Sequence, residues 1–420
     1  MNLIGLSLIV AFLLFTPLAV VLREPADLLY QLSRIGAILG TVLFAISVVL
    51  GIRWRWLESQ IGEDKLVQWH HAAGMTAFLL LLFHGAYSWI SFGSGVFQST
   101  GMVLGIVALV VFIMMIGSIW IYKAGAIPFE GWSILHAMNY LIFPLAYIHS
   151  FLVGSGVPTN PILKIEWIFI GCLFFLSLLY RIRRSNRVRR HPYTVTGISQ
   201  ETPDVWSLNL RGDPFPFLPG QYLYLQRMNE GRVSPGHPFT IASSPTQSGI
   251  TLSVKVVGDF TRDIVKLKPN DRVWVDGPYG RFSYLNDSKP RQALIFVAGG
   301  IGITPFLSML RYLHDRSGDE RKIWLIWGNK TQKDLAFLDD FNTLRQTLPG
   351  LEVIHVLSEE RAPGFETGFI DADKIREIVG EIDGKAIFIC GPPTMMEKIS
   401  QGLRRMNIPK ENIHWEKYTF

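Results

Sequence analysis

Four histidines, His70, His84, His136 and His149, fall inside two long apolar stretches of the chain, with His71 beside the first. An ionisable side chain in an apolar span is costly and defaults to a functional reading. A single such imidazole is satisfied by a neighbouring helix's carbonyl. Two helices that each carry a histidine near both ends ask for more. Haem iron takes two axial imidazoles, so a haem held between helices needs one histidine from each at matching depth. The spacing is fourteen residues from His70 to His84 and thirteen from His136 to His149, or about 20 Å along a helix. Two haems can stack over that length within a hydrocarbon core of ~30 Å. Phase favours His70 over His71, since fourteen residues fall only ~40° short of four turns and thirteen fall ~140° short. The second pair has that poorer phase, and Pro144 between its members is placed to kink the helix and rephase them. His71 stays open as the alternative inner ligand.

Such histidines need membrane helices to hold them. A span takes roughly 20 apolar residues, and six stretches qualify: Leu3–Leu22, Ile35–Ile52, Trp69–Ile90, Met102–Tyr122, Trp132–Val153 and Ile165–Tyr180. Trp54, Trp56, Trp69, Trp89, Trp132 and Trp167 cluster near their ends, as expected at membrane interfaces. The first stretch lacks a basic leader and a small-residue cleavage site, so it is expected to be a retained helix. Basic residues sit in the loop with Arg53, Arg55 and Lys65, at Lys123, and above all in RIRRSNRVRR (181–190). That bias puts these segments in the cytoplasm. Both termini then lie inside, His70 and His136 near the inner face, and His84 and His149 near the outer. Arg23 and Arg34 run against the bias.

The 420 residues leave room for two or three domains, and the 49% apolar average conceals a division near Tyr180. Although the net charge is +6, its concentration beside the last span argues against nucleic-acid binding. The two cysteines, Cys172 in a span and Cys390 in the polar half, are not expected to meet. After the basic segment, TVTGISQ, VWSLNL, QYLYLQ, FTIASS, GITLSVKVV and RVWVDG read as strands of a small antiparallel β-barrel. From Arg291 strands and helices alternate: ALIFVAGG, a helix from Thr304, KIWLIWG, a helix around Asp334–Thr347, LEVIHVLS, a helix from Asp371, AIFICG, and a helix through Met395–Arg405. That is the pattern of an α/β doubly wound parallel sheet, with nucleotide at the strands' carboxyl ends. GGIGITP (Gly299–Pro305) ends the first of these strands and opens a helix, where glycines admit a pyrophosphate to backbone donors.

Taken together, HPFTIASSP (His237–Pro245), VKVVGDFT (254–261), DGPYGRF (Asp276–Phe282), GGIGITP and CGPPTMM (Cys390–Met396) resemble the ferredoxin-reductase-type flavoprotein module. With six spans and paired histidines ahead of them, the whole resembles the ferric reductase and NADPH oxidase superfamily. The family's histidine–glycine–histidine pattern is matched by His70, Gly74 and His84. The resemblance implies a multidomain membrane protein. Its parts are a six-helix transmembrane haem bundle (1–182), a basic linker (183–190), a β-barrel FAD domain (191–290) and an NAD(P)H domain (291–420). It also implies two b-type haems on His70, His84, His136 and His149, one FAD, and NADPH or NADH as donor. His237, Pro238, Phe239 and Thr240 would bind the isoalloxazine, with Thr240 near its N5 edge. Lys255, Gly258, Asp259, Phe260 and Thr261 would meet the FAD pyrophosphate.

Gly299, Gly300, Gly302, Thr304 and Pro305 would cradle the nicotinamide nucleotide. Cys390, Gly391, Pro392 and Met395 would border its ring, with Thr240 and Cys390 in catalytic positions. Phe420 suits the terminal aromatic that stacks on the flavin in many members. Lys330 could attract a 2′-phosphate, as could Lys333, or either could be a solvated loop lysine. The expected activity is electron transfer from cytoplasmic NAD(P)H to an outer acceptor across a bacterial inner membrane. O2, giving superoxide, is favoured because the outer loops SFGSGVFQST and GSGVPTNP are short and uncharged. A ferric chelate or a periplasmic protein partner are the alternatives. Arg23 and Arg34 could attract an anionic acceptor or meet haem propionates.

Overall fold

The computed structural model describes residues 3–23, 26–154, 156–229, 231–287 and 293–415. Contacts divide the chain into two units, Met1–Asn186 and Arg187–Phe420.

The first unit is all helix: α1 (Leu3–Val21), α2 (Leu28–Gly51), α3 (Arg55–Ile61), α4 (Glu63–Phe92), α5 (Thr100–Lys123), α6 (Phe129–His136), α7 (Asn139–Val153) and α8 (Pro161–Arg190). Six spans were expected. Among the described residues, four helices are long and apolar enough to cross a membrane, namely α2, α4, α5 and α8. The other two stretches differ. α1 is shorter and carries Pro17 within it. The fifth stretch is broken between α6 and α7, and Pro144 lies inside α7. The break is a tight turn in which Tyr140 and Leu141 donate N–H bonds to the carbonyls of Ala137 and Met138, three residues back. This tighter winding changes the angle between residues on either side, and it separates His136 from His149.

Small residues let the helices approach. A Cβ at Gly40 would lie 2.7 Å from the Leu81 side chain, and one at Gly101 2.7 Å from Val153. These contacts seat α2 against α4 and α5 against α7. Asp27 caps α2, its carboxylate accepting from the Leu29 N–H at 3.0 Å. At the other end of α2, Arg184 of α8 donates to the Ile52 and Arg53 carbonyls at 2.6 and 2.9 Å. A guanidinium there satisfies orphan carbonyls and complements the helix dipole.

The second unit holds two sheets. The first is antiparallel, from β1 (Tyr193–Thr202), β2 (Val205–Arg211), β3 (Tyr222–Asn229), β4 (Arg232–Val233), β5 (His237–Thr240), β6 (Ile250–Lys255) and β7 (Arg272–Tyr279), with α9 (Asp259–Ile264) before β7. The order is β4-β3-β7-β1-β2-β6, with β5 on β3. A bridge between Ile241 and Leu252 links the end of β5 to β6. The sheet therefore curls back on itself around Leu208, Leu223, Leu225, Ile241, Leu252 and Val273.

The second sheet contains β8 (Leu294–Gly299), α10 (Thr304–Arg316), β9 (Ile323–Asn329), α11 (Leu338–Thr347), β10 (Leu351–Leu357), β11 (Glu366–Thr367), α12 (Ala372–Val379), β12 (Ala386–Cys390), α13 (Pro393–Arg405) and β13 (Ile413–Trp415). All its pairings are parallel, in the order β11-β10-β9-β8-β12-β13. The chain winds outward from β8 and then returns to β12, so the switch point lies between those two strands. α11 begins four residues later than the sequence pattern suggests. Asp334 turns back to accept from the Thr331 N–H at 2.8 Å, and Phe337 adopts a left-handed φ of 60°. The two free cysteines lie in different units.

Candidate functional site

The first unit brings the four histidines together as two pairs. The His70 and His136 ring centroids are 5.9 Å apart at 69°, and those of His84 and His149 are 6.3 Å apart at 64°. Two imidazoles on one metal, each bonded at about 2.0 Å, would have centroids about 6.3 Å apart. The spacing therefore fits one iron per pair. His71 is exposed, and its ring neighbours His70 at 5.7 Å. The sequence expectation pairs His70 with His136 by depth and prefers His70 to His71 by phase, and the break between α6 and α7 lies between His136 and His149.

Hydrogen bonds orient the rings. His70 Nδ1 lies 2.8 Å from the Ser47 carbonyl and 3.1 Å from its hydroxyl. His84 Nδ1 lies 3.1 Å from the Ser33 hydroxyl, and His149 Nδ1 2.7 Å from the Gly101 carbonyl. An Nδ1–H engaged in this way leaves Nε2 with a lone pair for metal. Among the described residues His136 Nδ1 is buried without a partner, and its ring packs 4.9 Å from Trp132. Gly105 makes room for His149, since a Cβ there would stand 2.7 Å from the ring. Ser33, Ser47, Gly101 and Gly105 are the site residues that the sequence reading missed.

In the second unit the HPFT and GDFT motifs meet. His237 stacks on Phe260 with centroids 3.8 Å apart at 20°, and Phe239 lies 6.2 Å from the same ring. Pairing of β5 with β3 sets Pro238 opposite Tyr224 and Thr240 opposite Tyr222. Arg227 pairs with Asp263 and sits 5.8 Å from the Phe260 ring. The Thr261 hydroxyl is occupied, accepting from the N–H groups of Val257 and Gly258 at 3.0 Å. Asp259 forms an exposed pair with Arg262. Past the motif, Ser308 and Arg311 of α10 donate to the Ser243 and Ala242 carbonyls at 2.7 and 2.8 Å. The end of HPFTIASSP is thereby tied to the nucleotide sheet.

GGIGITP and CGPPTMM flank the switch point and touch. A Cβ at Gly302 would lie 2.4 Å from the Cys390 carbonyl oxygen, and one at Gly391 3.0 Å from Gly299. A Cβ at Gly299 would meet Met395 and Pro392 at 2.8 Å. Gly302 and Gly391 thus allow backbone to meet backbone, while Gly299 admits the Met395 and Pro392 side chains. Gly300 differs, with φ of 54° and open space around it. Thr304 spends its hydroxyl on the Ile301 carbonyl at 3.1 Å, and Pro305 sits in the first turn of α10. A cleft is lined by Lys255, Gly300, Ile301, Trp327, Asn329 and Asp334. Among the described residues Asn329 Nδ2 is buried there without a partner, a donor suited to a nucleotide. Lys255 holds Asp204 at 3.0 Å. Lys330 is exposed and pairs with Glu359 at 2.9 Å, which raises its pKa. Lys333 sits in the same turn. Phe420 lies outside the described residues.

Three family profiles match in series. They are described as "Ferric reductase like transmembrane component" over residues 36–147, "FAD-binding domain" over 203–283 and "Oxidoreductase NAD-binding domain" over 296–401. The first contains three of the four paired histidines. In this order the three domains are similar to those of the ferric reductase and NADPH oxidase family. NADPH oxidase 4 of Rattus norvegicus is 30% identical over 244 residues, 51% of this chain and 39% of the rat protein. Phenol hydroxylase P5 protein of Acinetobacter pittii is 30% identical over 240 residues, 55% of this chain and 66% of that protein. The chain thus spans less than two thirds of the length of these relatives. A flavohemoglobin structure from Malassezia yamatoensis shares the fold at a TM-score of 0.53 and 16% identity, covering 92% of this chain and 96% of that one. The chain therefore carries a ferric-reductase-like transmembrane component followed by an FAD-binding domain and an oxidoreductase NAD-binding domain.

Proposed function

We propose that the protein carries electrons from NAD(P)H, through FAD and two b-type haems, to a one-electron acceptor on the opposite face of the membrane, with O2 as acceptor and superoxide as product. The observation that carries this reading is the pair of imidazole pairs, at 5.9 and 6.3 Å, with His70 and His84 one above the other on α4. Their separation along the helix is about 21 Å at 1.5 Å per residue. When bound, these groups would supply division of a hydride's electron pair into single electrons and their relay through the bilayer.

The residues hold and orient. His70 with His136 would grip the inner haem, and His84 with His149 the outer. His237, Phe239 and Phe260 form an aromatic wall for the flavin, with Thr240 at its edge. Gly300 and Asn329 offer donors to the nucleotide, and Cys390 borders the nicotinamide. α1 and the α6–α7 pair cross the membrane with the four long helices. The arginine-rich end of α8 marks the cytoplasmic side of a bacterial inner membrane. The reaction balances as NAD(P)H and two O2 giving NAD(P)⁺, one proton and two superoxide ions.

The test is purified protein with FAD, haem and NADPH or NADH. Cytochrome c reduction that superoxide dismutase abolishes is expected. Reduction of ferric chelates alone, or of a protein partner alone, would overturn the choice of O2. A visible spectrum without a Soret band that shifts on reduction would overturn the haem reading itself.

A further inference from the structure

We propose that Ser33 and Ser47 are positioning residues for the haem ligands of α4, one serine to each, and that their hydroxyls tune the two haems separately. The proposal rests on the two-haem reading above. Both serines lie on α2, and they are only 1% and 4% exposed. Ser47 meets His70 through its carbonyl at 2.8 Å and its hydroxyl at 3.1 Å. Ser33 meets His84 through its hydroxyl at 3.1 Å.

The spacing shows that this is one arrangement used twice. Ser33 and Ser47 are fourteen residues apart, as are His70 and His84. α2 and α4 run antiparallel, so the earlier serine reaches the later histidine. Equal steps on two helices keep equal depth and equal phase, and each serine therefore faces its ring in the same way. A serine in a helix commonly bonds back to its own preceding turn. Here both hydroxyls are turned toward a ligand ring instead. The approach needs bare backbone: a Cβ at Gly74 would stand 3.2 Å from the Ser47 hydroxyl, and one at Gly51 3.3 Å from His70 Nδ1.

An imidazole whose Nδ1–H donates to an oxygen is fixed in tautomer and angle, and its Nε2 becomes a stronger donor to metal. A stronger donor favours the oxidised iron and lowers the midpoint potential. The facing ligands are backed in other ways, His149 by the Gly101 carbonyl and His136 with no partner on Nδ1 among the described residues. At these four rings, the hydroxyls of Ser33 and Ser47 are thus the side-chain groups that substitution can remove while leaving the backbone in place.

The experiment is a potentiometric titration of the full-length holoprotein, wild type against Ser33→Ala, Ser47→Ala and the two Ser→Thr variants, with haem counted by pyridine haemochrome. Each alanine variant is expected to keep two haems and to raise the potential of one. The Ser33 variant should move one haem and the Ser47 variant the other. A tenfold change in the oxidised-to-reduced ratio is expected, about 59 mV for a one-electron couple. Threonine should restore the wild-type value. Two haems with unchanged potentials in both alanine variants, or either variant moving both haems alike, would overturn the proposal. A wild type that binds fewer than two haems would instead remove the reading beneath it.

Discussion

Gly105 offers a way to disturb the outer histidine pair without touching either ligand. In Gly105→Ala the new methyl would stand 2.7 Å from both Cε1 and Nδ1 of His149. Carbon contacts are comfortable at about 3.5–4.0 Å, so the ring must retreat by roughly 1 Å. Its hydrogen bond to the Gly101 carbonyl is 2.7 Å now, and a retreat of that size would carry it past the range in which such bonds hold. Overpacking costs about 1–3 kcal/mol and a lost hydrogen bond about 0.5–1.5 kcal/mol. The sum corresponds to a roughly 10- to 1,000-fold weaker outer site at 1.4 kcal/mol per tenfold. Protein purified without added haem should fall from two haems per chain toward one, measured by pyridine haemochrome. Gly117→Ala on the same helix is the control, since a Cβ there meets nothing within 4 Å. If Gly105→Ala retains two haems at wild-type potentials, the reasoning from the His149 geometry is wrong.

Two further outcomes follow from the second unit. Gly302→Ala would drive a methyl to 2.4 Å from the Cys390 carbonyl, where both neighbours are backbone and neither yields easily. Flavin reduction by NAD(P)H in stopped flow should then need about tenfold more nucleotide or worse, as expected for 1–3 kcal/mol of overpacking, with flavin content unchanged; an unaltered KM would refute this. Among the described residues His355 has Nδ1 buried without a partner, between Trp327 and Phe365. Desolvation, reinforced by Arg345, lowers its pKa to about 4. Because the unfolded chain then binds the extra proton between about pH 6.5 and 4, stability is full above that window and falls as pH drops through it. Heating full-length protein at pH 7 and pH 5 and following flavin release should show a drop in Tm that His355→Phe reduces; equal drops would count against it.

Hydropathy makes the long helices of the first unit legible because a bilayer-crossing helix has a length threshold that composition reveals directly. The α6–α7 break was not legible. The residues at the turn, Ala137 and Met138, include no glycine or proline to mark it. The parallel sheet was readable from short apolar runs bounded by glycine. β4, β11 and β13, of two or three residues each, are edge pairings that tertiary context alone creates. The glycines of GGIGITP were read as making room for phosphate. In the structure Gly299 also admits the side chains of Pro392 and Met395, Gly302 admits the Cys390 backbone, and Gly300 faces open space. The serines beside the histidines carried a signal in their matching interval, but a serine inside an apolar helix is too ordinary to attract notice until its partner is seen.

Arg184 bears on modular construction. α8 is a single helix that carries the chain from one unit into the other, and this arginine fastens it to the end of α2, more than a hundred residues earlier in the sequence. The natural seam for exchanging reductase modules between relatives is therefore not the last apolar residue, near Tyr180, but the stretch beyond Arg184. A chimera joined upstream of it would lose the rivet that ends α2. One joined at 187–190 would inherit a membrane half with its helices already pinned.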